Sequence, residues 1–265
     1  MTRRLCLVTG ASAGIGAAFA RVYASHGFDV ALTARRADRL EQLADEIKLR
    51  FGVETLILPA DLSRPEAPAA LIAEIEAQGR QVDVLVNNAG YGLPGVYAHT
   101  SWSDQTALMQ VLLTAPCELA HRLLPGMIER GYGRIVNVAS LAGLVPGMPS
   151  HTLYGPIKSF LVKFSQALHV ETLGSGVHVS ALCPGFTYSE FHDVNGTRAQ
   201  TGPMPSWMWL GADEVAAAGY EAAEANRPVC VTGAPNKAIA AICKIVPDEW
   251  VLALVSRNAG RLRRM

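Results

Sequence analysis

LCLVTGASAGIG, residues Leu5 to Gly16, decides how the rest of the chain is read. The apolar run Leu5-Cys6-Leu7-Val8 has the character of a buried strand, and a helical pattern starts at Ile15 and continues to His26. Between them the chain passes through Gly10, Gly14 and Gly16. A strand that breaks through closely spaced glycines into a helix leaves the first N–H groups of that helix unpaired and pointing outward, an end that attracts phosphate. The glycines allow a sharp turn and a close backbone approach, and the small side chains of Ala11, Ser12 and Ala13 keep that approach clear. The spacing is Gly-x3-Gly-x-Gly rather than Gly-x-Gly-x-x-Gly, so the stretch by itself reads equally well as an ordinary glycine turn. The residues after Gly16 decide between the two.

Downstream, short β-branched or apolar runs alternate with longer helical patterns, as a parallel sheet covered on both faces does in sequence. The predicted strands are Leu5–Thr9, Val30–Ala34, Glu54–Pro59, Val82–Asn87, Arg134–Ala139, His178–Cys183 and Val229–Thr232. Helical patterns cover Ile15–His26, Arg39–Phe51, Glu66–Ala77, Ser103–Glu129, Leu153–Leu173 and Asp213–Ala225. Seven strands joined by right-handed crossovers make a doubly wound α/β sheet with helices on both faces. The 265 residues, half of them hydrophobic, suit one domain over 1–265.

Lysine plus arginine equal aspartate plus glutamate, 23 against 23, so no overall field favours a nucleic acid. A small neutral or amphipathic ligand fits better. Five cysteines, Cys6, Cys117, Cys183, Cys230 and Cys243, are odd in number, far apart and set in apolar runs. They read as reduced core residues of a cytoplasmic protein. Arg3-Arg4 precedes an apolar stretch of only four residues before Thr9-Gly10, which is a strand rather than a leader. No apolar run approaches the roughly 18 residues of a membrane span.

In a doubly wound sheet ligands lie at the carboxyl ends of the strands, so the residues there matter most. The first strand ends in the glycine turn, where Gly10, Ser12, Gly14, Ile15 and Gly16 are the candidate phosphate-binding residues. The second ends in Thr33-Ala34-Arg35-Arg36, where many nicotinamide enzymes carry an acid for the adenosine ribose hydroxyls. Arginine there could grip a 2′-phosphate, with Arg35 reaching it and Arg36 in support, which favours NADP(H) over NAD(H). Two solvated arginines at the start of an amphipathic helix are the other reading. Asp61-Leu62-Ser63 after the third strand could hydrogen-bond an adenine amino group, and also reads as a helix-start signal. Asn87-Asn88-Ala89-Gly90 ends the fourth strand and could steady the loop behind the nicotinamide, while by itself it is a turn sequence.

Ser140 ends the fifth strand, and fourteen residues later comes Tyr154-Gly-Pro-Ile-Lys158. On one helix Tyr154 and Lys158 share a face, being four residues apart. A phenol has an ordinary pKa of about 10, and a neighbouring ammonium that favours the phenolate can bring it toward working pH. Ser140 could then hold a carbonyl oxygen while Tyr154 passes a proton to it. Pro156 fits a helix only in its first turn, so that helix begins just before Tyr154.

Thr9–Gly16, Asp61, Asn87–Gly90, Ser140, Tyr154 with Lys158, and Pro184-Gly185 after the sixth strand occur in one order, and by them the chain resembles a short-chain dehydrogenase/reductase over nearly its whole length. The resemblance implies a Rossmann-like single-domain enzyme in which Tyr154 is the general acid/base and Ser140 positions the carbonyl. It also implies that Lys158 binds the nicotinamide ribose and lowers the Tyr154 pKa. Asn88, Ala89, Gly90, Pro184 and Gly185 fall at its cofactor-binding positions. Val229-Cys-Val-Thr-Gly233, Asn236-Lys237 and Pro247 are similar to a bacterial branch of broad-specificity reductases linked to acyl or alanyl ester metabolism.

Two departures stand out. Where the family has asparagine in a Val-Asn-Leu context, this chain has Val111-Leu112-Leu113-Thr114, and Leu112 cannot hold the water that the asparagine is thought to hold in the proton relay to lysine. The Ser140–Tyr154 spacing is one residue longer than the commonest, with Pro146, Gly147 and Pro149 in the loop that would line the substrate pocket. His151 lacks a second ligand at metal-type spacing, so it reads as a loop residue and no metal is expected. No Gly-x-Ser-x-Gly elbow supports a hydrolase.

Phe186 to Leu210 is long, irregular and tipped by Trp207-Met208-Trp209-Leu210. Residues 186–212 read as a substrate lid, with Trp207 and Trp209 meeting an apolar tail, or as a helix packed on the sheet. Residues 238–265 form a helical extension in which Ile239, Ile242, Val246, Trp250 and Leu254 fall near helical spacing ahead of an arginine-rich end. This extension makes a dimer or lid contact, or a weak basic foot on a membrane surface. An NADP(H)-dependent carbonyl or alcohol oxidoreductase, assembled as a homodimer or homotetramer, is the leading expectation. A non-catalytic cofactor-sensing regulator, which Leu112 favours, and a membrane-associated interaction protein are the alternatives.

Overall fold

The computed structural model describes residues 3–147, 152–190 and 205–262, with side chains described as far as residue 257. Seven parallel strands form the central sheet: β1 (Leu5–Thr9), β2 (Asp29–Thr33), β3 (Thr55–Ile57), β4 (Val82–Asn87), β5 (Gly133–Val138), β6 (Val177–Cys183) and, last in the chain, Val229–Val231. Their order across the sheet is β3-β2-β1-β4-β5-β6 and then Val229–Val231, the doubly wound topology expected from the alternating pattern. The connection reverses direction between β1 and β4, and a crevice opens there at the carboxyl ends of both strands.

The alternation of side chains along each strand builds two apolar layers. Cys6 and Val8 face the side covered by α1 (Gly14–Ser25) and α2 (Ala37–Phe51), where Phe19, Tyr23, Leu40 and Ile47 close the layer. Leu5 and Leu7 face the opposite side, where α3 (Ala67–Ala77) supplies Leu71, Ile72 and Ile75. Every residue of β1, β2 and β5 is buried, which explains why these strands read as apolar runs.

The helix expected over Ser103–Glu129 is broken in a particular way. It consists of α4 (Trp102–Met109), a π turn over Gln110–Thr114 in which the Ala115 N–H reaches Gln110 O, and α5 (Ala115–Glu129). Pro116 has no N–H to give the carbonyl four residues back, that of Leu112, so the α-helical ladder cannot continue through this point and widens. α6 runs over Tyr154–Glu171, beginning where Pro156 requires.

Beyond β6 the chain forms a small parallel pair absent from the sequence reading, β7 (Thr187–Tyr188) against β8 (Leu210–Gly211). Next come α7 (Ala212–Glu224), the last sheet strand β9 (Val229–Val231), α8 (Ala234–Ile245) and α9 (Asp248–Leu262). α8 starts earlier than Ala238, because Pro235 suits a first helical turn, and α9 follows it as a separate helix.

Candidate active site

A cavity of about 1390 Å³ opens at the carboxyl ends of the strands. It is bordered by Gly10, Ser12, Gly14, Ile15, Arg35, Arg36, Asp61, Leu62, Asn88, Ala89, Gly90, Ser140, Tyr154, Lys158, Pro184 and Gly185. Gly16, the remaining residue of the sequence-derived set, lies buried behind the loop.

The glycine loop is held by the end of β4. Asn88 Nδ2 donates to Thr9 O (2.9 Å) and Gly10 O (3.2 Å), and the N–H groups of Asn88 and Ala89 donate to Thr9 Oγ1 (2.9 and 3.0 Å). Asn88 therefore braces the glycine loop as much as the neighbouring pocket wall. Gly14 has φ +54°, and a β-carbon there would stand 2.8 Å from Ser189 Cβ, so both conformation and space demand glycine. α1 begins here with no side-chain cap and no acid in its first turn, leaving its terminal N–H groups directed at the cavity mouth.

The two arginines after β2 diverge. Arg36 Nη2 donates to Ser12 Oγ (3.0 Å) and to Glu190 Oε2 (2.8 Å), which ties it to the glycine loop. Arg35 is close enough to Asp61 and Tyr91 for its charge to act on both. Asp61 Oδ1 accepts from the Ser63 N–H (3.0 Å) and hydroxyl (2.8 Å). Burial works against this carboxylate, but those two hydrogen bonds, with the Arg35 and Arg64 charges, outweigh it and hold the pKa below its ordinary value. An uncapped helix end, a loop that only glycine can form and a pair of arginines suit the phosphates of a dinucleotide.

Ser140, Tyr154 and Lys158 meet at the inner end of the cavity. The turn after β5 (Leu141–Gly143) is pressed onto α6, where a β-carbon on Gly143 would stand 2.6 Å from the Lys158 carbonyl carbon. This close packing fixes Ser140 relative to Tyr154, and the two side chains are hydrogen-bonded. Lys158 is buried, donates Nζ–H to Val138 O (2.7 Å) and lies 5.5 Å from the centre of the Tyr154 ring.

The expectation that Lys158 draws the tyrosine toward working pH does not hold for the protein alone. Burial pushes Tyr154 up to about 12, with the Ser140 hydrogen bond pulling only partly against it, and burial lowers Lys158 to about 8. Both groups disfavour their charged forms where burial desolvates them. Near neutral pH the phenol keeps its proton, which is the form a proton donor needs.

Leu112, in the π turn, is 1 % exposed and packs with Leu108, Ile157 and the partly buried Tyr91 and Tyr154. The wall behind Tyr154 is apolar where the family resemblance led one to look for an amide.

The outer part of the cavity is lined by Phe186, Met208, Ile239, Cys243, Val251 and Val255. The residue that enters from 207–209 is Met208, not either tryptophan. Trp209 stacks on Tyr188 (4.9 Å between ring centres, 25°) and lies against Phe186, while Trp207 is 64 % exposed. The turn Ser206–Met208 rotates successive side chains by about a third of a circle, and this directs the methionine inward. Ile239, Val251 and Val255 give part of the periodicity of α8 and α9 an internal purpose, since they border the cavity. His151 and Pro149 lie outside the described residues, as do residues 191–204 of the lid segment. Among the described residues no group of three or more metal-ligating side chains is gathered, and no helix is long and apolar enough to cross a membrane. Glu190 escaped the sequence reading, Met208 entered it only as part of the apolar tip, and the α8–α9 segment was assigned a dimer, lid or membrane contact rather than a cavity wall.

A model of the short chain dehydrogenase family matches residues 4–199. The chain belongs to the short-chain dehydrogenase family. This short-chain dehydrogenase is 34% identical to a fatty acyl-CoA reductase of Mycobacterium tuberculosis over 264 residues, 99% of this chain and 87% of that protein. It is 35% identical over 186 residues to a ketoacyl reductase of a Nostoc species, covering 70% of this chain and 64%, less than two thirds, of that one. Among solved structures, a short-chain dehydrogenase from Sphingobium yanoikuyae in complex with NADPH superposes with a TM-score of 0.80 at 29% identity, over 99% of this chain and 96% of that one. A family member from Burkholderia phymatum in complex with NAD gives 0.80 at 26% identity, over 91% and 92%.

Proposed function

We propose that this chain is an NADP(H)-dependent oxidoreductase that reduces the carbonyl of a substrate with an apolar tail. The observation that carries the reading is a single cavity with Ser140, Tyr154 and Lys158 at its inner end and an apolar wall from α8 and α9 at its outer end. A bound nicotinamide would supply the hydride. The glycine loop and the first turn of α1 hold the pyrophosphate, and Arg35, Arg36 and Ser12 take the 2′-phosphate. The Ser140 hydroxyl orients the carbonyl oxygen, Tyr154 gives its proton to that oxygen, and the Lys158 ammonium favours the phenolate left behind.

The acyl reductases among the relatives, and the NADPH in the Sphingobium neighbour, support this choice of substrate class and cofactor. Five unpaired cysteines fit a reducing, cytoplasmic setting. The test is NADPH oxidation against a panel of aldehydes, ketones and 3-oxoacyl esters, with Tyr154→Phe in parallel. Turnover should fall by at least about 100-fold in the variant, the usual cost of losing a general acid, at unchanged NADPH affinity. NADPH binding without turnover of any panel member would overturn the proposal and return weight to a cofactor-sensing regulator.

A further inference from the structure

We infer that Glu190 is a cofactor-discriminating residue. Its carboxylate holds the anion site formed by Arg36, Ser12 and Arg39, so a ligand bearing a 2′-phosphate must displace it and a ligand with free ribose hydroxyls need not. The inference rests on the proposed seat of the adenosine ribose beside Arg36.

The contacts are direct. Glu190 Oε2 lies 2.8 Å from Arg36 Nη2, the same nitrogen that donates to Ser12 Oγ at 3.0 Å, and Glu190 Oε1 lies 4.0 Å from Arg39 Nη1. The guanidinium that links the cofactor loop to the end of β2 is thus already shared with an acid that lies 154 residues away in sequence. The position of Glu190 is not accidental to one side-chain rotamer. Ser189, its neighbour, sits so close to Gly14 that a β-carbon there would stand 2.8 Å from Ser189 Cβ, which holds the backbone of this segment on the glycine loop.

A carboxylate only accepts hydrogen bonds, and so does an ionised phosphate, whereas a ribose 2′-hydroxyl can donate. A phosphate brought to Arg36 while Glu190 stays would place two anions on one cation. A 2′-hydroxyl could instead donate to Glu190, which gives through space the acid that Thr33-Ala34-Arg35-Arg36 lacks. A displaced Glu190 has somewhere to go. A hollow of about 480 Å³ bounded by Ser12, Arg21, Arg39, Glu46 and Glu190 lies beside the loop, and Arg39 can receive the carboxylate there while Arg21 is occupied by both oxygens of Glu46. Glu190 therefore moderates the NADP(H) preference that the arginines create.

The experiment measures affinities of the purified full chain for adenosine 2′,5′-bisphosphate and for 5′-AMP by calorimetry at low salt, in wild type, Glu190→Gln, Glu190→Ala and Arg36→Gln, and in Arg36→Gln/Glu190→Gln. Both Glu190 variants should bind the bisphosphate about three- to fivefold tighter relative to 5′-AMP, the range of a part-exposed ion pair. The gain should vanish when Arg36 is already glutamine. A ratio unchanged within twofold in both Glu190 variants would overturn the inference. Failure of wild type to prefer the bisphosphate, together with an inert Arg36→Gln, would instead bring down the anion site and the cofactor reading with it.

Discussion

Leu112 lies against Gly90: a β-carbon on Gly90 would stand 2.6 Å from Leu112 Cδ2 and 4.0 Å from Lys158 Nζ. The leucine thus fills the space beside Lys158 that the family resemblance assigns to an amide. Pro116 leaves the Leu112 carbonyl without its α-helical donor, so a hydrogen-bond acceptor persists in the backbone although the side chain has none. We therefore predict that proton exchange at Lys158 does not depend on an asparagine here. Leu112→Asn should place an amide among Leu108, Ile157 and Tyr154, destabilise the protein by about 1–3 kcal/mol and leave kcat within about twofold. Thermal unfolding beside steady-state rates checks this. A variant ten times faster at unchanged Tm would show that the relay does depend on the side chain.

Cofactor choice separates the two arginines. Arg36 touches Ser12 whereas Arg35 acts on Asp61 and Tyr91, so we expect Arg36 to weigh more than Arg35 in holding a 2′-phosphate beside Ser12. Arg36→Asp should remove the NADP(H) preference in kcat/KM, a loss of about 1.5–3 kcal/mol for a charge-assisted contact, and Arg35→Asp should remove less of it. A larger effect at Arg35, or a wild type that prefers NAD(H), would contradict the assignment.

These features differ in how they could be read from residues alone. Strands such as Leu5–Thr9 and Gly133–Val138 are buried on both faces and keep their apolar signature whatever surrounds them, and strand-end residues such as Ser140 fall into place once the strands are set. The π turn had a local signal, proline four residues after Leu112, that a search for helical periodicity overlooks. The Glu190–Arg36 pair had none, because charge pairing across the fold leaves no spacing in the chain. Met208 between two tryptophans shows the same limit: composition announces an apolar tip, and only backbone rotation selects which side chain enters. The rise of the Tyr154 pKa depends on burial, which a Tyr-x-x-x-Lys spacing does not encode.

The apolar outer wall predicts a chain-length preference. Lengthening the alkyl group beside the carbonyl should add roughly 0.8 kcal/mol per buried methylene to transition-state binding until Met208, Ile239, Val251 and Val255 are covered. Val251→Trp should shift the optimum to shorter chains, and Trp207→Ala, at a 64 % exposed position, should leave the series unchanged. Equal kcat/KM across a homologous series would refute an apolar wall.

Far from the site, Arg80 neutralises a buried acid. Arg80 Nη2 lies 2.8 Å from Asp29 Oδ2 with side chains only 13 % and 5 % exposed, and Asp29 Oδ1 accepts the Glu54 N–H at 2.9 Å. Arg80→Met removes the closer of two cations on Asp29, Arg3 Nη1 remaining 3.9 Å from Oδ1, and should cost about 1–3 kcal/mol. Asp29→Asn in that background should restore part of the loss. Cofactor affinity, set at the opposite ends of the strands, should not change; calorimetry and nucleotide titration measure the two effects separately, and an unaltered Tm in Arg80→Met would mean that the pair is solvated.

We expect the pH dependence of turnover to follow two groups that burial moves in opposite directions. Tyr154 at about 12 keeps its proton throughout the working range, so in the proposed reaction supply of the acid should not limit carbonyl reduction. Lys158 at about 8 loses its charge as pH rises through that value, and with it the cation that favours the phenolate formed on proton transfer. kcat/KM for reduction should therefore be level below pH 8 and fall above it, approaching tenfold per unit. Alcohol oxidation needs the phenolate at the start, so its rate should climb with pH while the lysine is still charged. The linkage to folding has a definite sign. The folded pKa of Lys158 lies below the unfolded value of 10.5, so its burial destabilises the protein fully below pH 8, and the penalty fades between about 8 and 10.5 as the folded chain sheds the proton first. Lys158→Met should accordingly abolish turnover yet raise Tm at pH 7, with the gain shrinking toward pH 10. A reduction profile flat to pH 10, or a Lys158→Met protein less stable than wild type at pH 7, would show that the lysine is better solvated than its burial implies.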